Sequence, residues 1–80
     1  MIDMDSTVHR FKNARIAMYL GDHPPPHVHL TGPGFKALIE IDGLKVLGSA
    51  DAKTLAEAKA WIAGHRATLM EIWKLRGTKR

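Results

Sequence analysis

The sequence predicts an α+β domain: a small antiparallel β-sheet of three to four strands in a meander, packed on one face by a C-terminal helix or broken helix pair. Three observations point there. Apolar and polar residues alternate through much of residues 14–47, the period of a half-buried strand. Gly32-Pro33-Gly34 and Asp42-Gly43 punctuate that stretch as turns. From Asp51 the composition shifts to Ala, Leu, Lys and Glu, the strong helix formers.

Residues 1–8 show no periodicity and are expected to be a loose lead-in. Over residues 14–20, Ile16, Met18 and Leu20 alternate with Arg15, Ala17 and Tyr19, which reads as a first strand. Gly21-Asp22 turns the chain into Asp22-His23-Pro24-Pro25-Pro26-His27-Val28-His29. Consecutive prolines fix φ and remove N–H donors, so Pro25 and Pro26 make a stiff extended connection, neither helix nor central strand. A second strand then spans residues 27–31, with Val28 and Leu30 facing the core and His27 and His29 facing away. The third, residues 35–41, turns Phe35, Ala37, Ile39 and Ile41 inward and Lys36, Leu38 and Glu40 outward. Asp42-Gly43 predicts a type I′ hairpin turn, residues 44–47 a short fourth strand, and Gly48 the end of the β half.

Ser49 or Asp51 can cap the helical half. On a helical projection Leu55, Ala58, Ile62, His65, Leu69, Ile72 and Trp73 share one sector, with Trp61 at its edge. Trp61, Leu69 and Trp73 read as core, and His65 as a buried, hydrogen-bonded histidine joining helix to sheet. Gly64 lies on the wet side, where it either bends the helix or divides it. Gly77 stops the helix and residues 78–80 form a frayed basic tail. With 80 residues, no repeats and no composition break typical of a linker, the chain reads as one domain over 1–80.

Composition narrows the function. There are no cysteines, which removes disulfide and thiolate chemistry. No apolar run approaches the roughly 18 residues of a membrane-spanning helix, and the acidic start lacks the order of a signal peptide, so a cytoplasmic location and no membrane partner are expected. A net charge of +4 and a pI near 9.8 favour a polyanionic partner, nucleic acid or an acidic protein.

If one helical layer covers the Ile16/Val28/Ile39 side, the other side of the sheet carries Arg15, Tyr19, His27, His29, Lys36 and Glu40. That set admits three uses besides a merely solvated face. Cations at Arg15, Lys36 and Lys45 can track phosphates while Tyr19 stacks on a base, as in single-stranded RNA binding. Histidine exchanges protons near neutrality, so His27 and His29, with His23 close in sequence, can serve as general acid and base in metal-free RNA cleavage, Arg15 or Lys36 stabilising the phosphorane. No cofactor is then needed. Alternatively His23, His27 and His29, beside Asp22, ligate a divalent metal such as zinc. In the third use the face is a non-enzymatic docking surface with the prolines as a rigid edge.

The run from Met18 to His29 resembles the signature of the domain of unknown function 4160 family, small bacterial proteins with aspartate-histidine, prolines and histidine-x-histidine after a first strand. Trp61, His65, Leu69 and Trp73 are similar to that family's tryptophan–histidine–leucine–tryptophan spacing, and Gly48 with its preceding hairpin also fits. The resemblance covers roughly residues 7–75. Val28 departs from it, standing where relatives often have an aromatic residue, and so does Gly64, in a helix usually free of glycine. The resemblance implies a toxin–antitoxin component with a cognate small protein encoded nearby. It also singles out Tyr19, Asp22, His23, His27, His29 and His65.

Overall fold

The computed structural model describes residues 7–19 and 24–76. Five strands, β1 (Thr7–Arg10), β2 (Arg15–Ala17), β3 (His27–Gly32), β4 (Phe35–Glu40) and β5 (Val46–Ser49), form one antiparallel sheet in the order β1-β2-β3-β4-β5. Two helices follow, α1 (Ala52–Gly64) and α2 (Arg66–Arg76). The expected α+β meander is therefore present with one strand more than predicted. The extra strand is β1, which takes up Thr7 and Val8 of the expected loose lead-in. It is joined to β2 by a turn over residues 11–14 that the Phe11 N–H closes by donating to Ala14 O at 2.7 Å. A register shift between Thr7 and His9 interrupts alternation in β1. A bulge of this kind hides a strand from a period-two search. Residues 1–6, Leu20 to His23, and Gly77 with the 78–80 tail, where the sequence predicts the helix stop, lie outside the described residues.

Register assigns the faces. Val28, Leu30, Ala37, Ile39 and Ile41 point into the core as the alternation predicts, and join Ile16 and Met18 against Ala58, Ile62, Leu69 and Trp73. Both helices contribute, so each apolar layer removes the other from water. Pro26 fits at the head of β3 because only its carbonyl is required: it accepts from the Ile41 N–H at 3.1 Å, extending the β3–β4 pairing.

The connection between β4 and β5 corrects the type I′ expectation. Positive φ falls on Leu44, at 60°, rather than on Asp42 or Gly43. The Leu44 N–H donates to Glu40 O at 2.9 Å and the Glu40 N–H to Lys45 O at 2.9 Å, so residues 41–44 form a four-residue loop. The longer loop displaces the last strand from the predicted 44–47 to Val46–Ser49 and places Gly48 within it, at φ +96°. A Cβ there would lie 2.7 Å from Lys36 O. Gly48→Ala is expected to destabilise the domain by more than about 1 kcal/mol, since it combines left-handed strain with a backbone clash. An unchanged urea midpoint would refute this.

Asp51 is the N-cap of α1: its carboxylate accepts from the Thr54 hydroxyl at 2.7 Å and the Thr54 N–H at 3.0 Å. These bonds, the hydroxyl's first, hold its pKa below the usual carboxylate value. A lowered folded-state pKa adds stability above the unfolded-state value that disappears as pH falls through the folded one. Asp51→Asn is thus expected to keep the cap at neutral pH while making thermal unfolding less acid-sensitive, whereas Asp51→Ala lowers the midpoint at both pH values. Equal acid sensitivity of Asp51→Asn and the parent would count against the cap.

The helical half divides at His65, whose backbone (φ −130°, ψ 22°) leaves the helix. Arg66 then reaches back to the β4–β5 loop, its Nε donating to Ile41 O at 2.9 Å and a terminal nitrogen to Asp42 O at 3.0 Å. Arg66→Ala should cost on the order of 1–3 kcal/mol by leaving these carbonyls without a charged donor. Arg66→Lys, lacking the planar fork, should recover only part of it. Equal denaturation midpoints for all three proteins would show the contact to be inconsequential.

Candidate nucleic-acid interface

Cross-strand register turns the face opposite the helices into rows. One row runs Arg10, Arg15, Thr31, Lys36 and Ser49 through all five strands. The next runs Thr7, Ala17, His29, Leu38 and Leu47, two residues further along, or about 7 Å by strand rise. Beyond it His27 pairs with Glu40, and Glu40 faces Lys45 across the hairpin. The predicted grouping of Arg15, His27, His29, Lys36 and Glu40 on one face is therefore what the register gives. Lys45 is set apart: it lies level with Glu40, about 13 Å along the strand direction from Lys36.

Arg15 bridges the face. It donates to Thr7 Oγ1 at 3.0 Å and to Tyr19 Oη at 3.5 Å, and Ala17, between these partners, is fully buried. Its two bonds occupy two of five guanidinium N–H groups. The Tyr19 ring meets His29 edge-on, with centroids 4.6 Å apart, and His29 lies 5.1 Å from His27. His27 also approaches Trp73 of α2, at 5.4 Å. The imidazole pair therefore stands where the open face meets the end of the helical layer, both rings half-buried.

His27 Nδ1 lies 2.8 Å from Pro25 O. A carbonyl only accepts, so Nδ1 carries the proton, and in the neutral ring the basic lone pair resides on Nε2. The proline run thus orients an imidazole through a backbone oxygen. Pro24–Pro25 is a cis peptide. Asp22 and His23, expected beside this pair, lie outside the described residues. Among the described residues no three His, Cys, Asp or Glu side chains gather as a metal site. No described helix is long and apolar enough to cross a membrane.

Tyr19, His29, Thr31, Lys36, Leu38 and Leu47 line a shallow groove of about 390 Å³. Lys36 is diagonal to His29 across the β3–β4 pair, a separation long side chains span.

A family model described as a domain of unknown function, DUF4160, matches residues 13–74. The chain belongs to the DUF4160 family. No curated protein and no solved structure matches it. Of the sheet, only β1 precedes the DUF4160 match.

Two parts of this DUF4160 domain differ from what its sequence predicts or escaped it. His65 is exposed, not buried against the sheet, and its Nδ1 donates to Trp61 O at 2.7 Å. Its ring stacks on the half-buried Trp61 at 4.2 Å, and His9 of β1 stacks on Trp61 at 4.4 Å. The helix projection assumed one unbroken phase, and the break at His65 rotates that residue out of the apolar sector. Trp73 and Leu69 are core as expected. The second departure is the row itself: Arg10 and Leu47 join the face, and only cross-strand register, invisible along one strand, reveals their alignment with Arg15 and with the outward Leu38.

Proposed function

We propose that this DUF4160 domain is the toxin-like member of a bacterial toxin–antitoxin pair and acts on single-stranded RNA through its open sheet face. The observation that supports this most is the placement of two imidazoles, a tyrosine and a cationic row on the sheet face opposite the helices, with His27 at its border beside Trp73 of α2. Glu40 is the only carboxylate among the described residues of its strand rows. Phosphates run along Arg10, Arg15 and Lys36, and Tyr19 offers a ring to a base.

In cleavage, His27 Nε2 takes the proton of a ribose 2′-hydroxyl, and the oxygen attacks the adjacent phosphorus. The bond from phosphorus to the 5′ oxygen breaks, and protonated His29 gives that oxygen its proton. The products are a 2′,3′-cyclic phosphate and a free 5′-hydroxyl. Lys36 stabilises the charge on the five-coordinate phosphorane. A cognate small protein would neutralise the domain by covering the same face.

Incubation of the purified protein with single-stranded RNA in chelator tests the chemistry. Fragments ending in cyclic phosphate are expected, and intact RNA would reduce the domain to a binding module. Induced expression tests the biology: normal growth on expressing the wild-type chain would remove the toxin assignment.

A further inference from the structure

We infer that the Leu38–Leu47 part of the groove is a base-binding subsite, which holds one nucleobase flat while Lys36 takes the phosphate beside it. The inference rests on the nucleic-acid assignment above and adds to it the part of the nucleotide that each row contacts. Leu38 and Leu47 are direct cross-strand partners on the open face, and Leu47 remains 53% exposed although it is a large apolar side chain. A solvated face has no need of leucines there; an aromatic base laid over them would remove that surface from water. His29 is the next residue in the row, with Tyr19 edge-on to it at 4.6 Å, so a base over the leucines would bring its ribose to the imidazole.

Charge identifies the occupant. The apolar row is bordered by the row bearing Arg10, Arg15 and Lys36, with about 7 Å between the two. An apolar strip beside a cationic strip complements the two sides of a single strand, bases and phosphates. At about 390 Å³ the groove is at the small end of ligand pockets, which suits one base rather than a duplex. Leucines read no hydrogen-bonding edge, so the subsite discriminates little among bases.

The test uses two fluorescently labelled oligomers of equal length, a 2′-O-methyl RNA and its abasic counterpart carrying only sugar and phosphate. Neither has a 2′-hydroxyl, so anisotropy reports binding alone. The intact chain is expected to bind the base-bearing oligomer at least roughly tenfold more tightly. Leu47→Ser should lose most of that difference without changing abasic affinity, and Leu47→Phe should retain it. Leu47 lies exposed on an outer strand, and unfolding curves recorded alongside identify any variant that fails to fold. Equal wild-type affinity for both oligomers, or no effect of Leu47→Ser, would overturn the subsite and leave the nucleic-acid assignment standing. Binding of neither oligomer would overturn both and leave the leucines to a protein partner.

Discussion

His29→Ala should lower the rate of RNA cleavage by roughly 10²–10⁴-fold, the usual contribution of a positioned general acid or base. The ring sits in the middle strand of five, between Ala17 and Leu38, and contacts Tyr19 and His27. Its loss removes a proton donor from the face while leaving the opposite, apolar face of β3 untouched. The expected signature is a fall in kcat with little change in KM, because the phosphate contacts remain. His27→Ala should act alike, and the double variant should lose little more than either single one, as befits two halves of one proton transfer. His27→Ala has a second effect: it removes the group held by Pro25 O, so its unfolding curve must be compared as well. Full activity in His29→Ala, measured on a defined oligomer with product ends identified, would eliminate this residue from the chemistry.

Most of this face was legible because strand alternation is a local property. Val28 and Leu30 against His27 and His29, or Ala37 and Ile39 against Lys36 and Leu38, sort themselves by parity alone, and the structure agrees. Three things resisted for definite reasons. A bulge in β1 broke the parity on which detection depends. The Asp42-Gly43 pair favoured a two-residue turn, yet the burial of Ile41 and the bonds to Leu44 and Lys45 set a longer loop. His65 was placed by a helical phase that its own backbone ends. The alignment of Leu38 with Leu47, and of both with His29, depends on which residues pair between strands. That is fixed only once all five strands are assembled.

The largest loss of stability is expected from Ile39→Ala. Ile39 is completely buried in β4, opposite Val28 on one side and Val46 on the other, within the cluster that α1 and α2 cover. Truncation forfeits the burial of the side chain and leaves a cavity the surrounding strands cannot fully close, about 2–5 kcal/mol in comparable cores. A domain of 80 residues has little beyond that to lose, so a large unfolded fraction at 37 °C is expected. Ile39→Val removes one methyl group and should cost only about 0.5–1.5 kcal/mol. The graded pair distinguishes packing from a change in strand preference, since valine is as good a strand former as isoleucine. Indistinguishable chemical-denaturation midpoints for Ile39→Ala and the parent would mean that the two layers do not meet where Ile39 lies.

Trp61, with the imidazole of His9 on one face and that of His65 on the other, gives the chain a built-in optical reporter. In a Trp73→Phe background it is the sole indole. Its emission then changes when His9 departs, so peeling of the outermost strand can be followed in solution without attaching a dye.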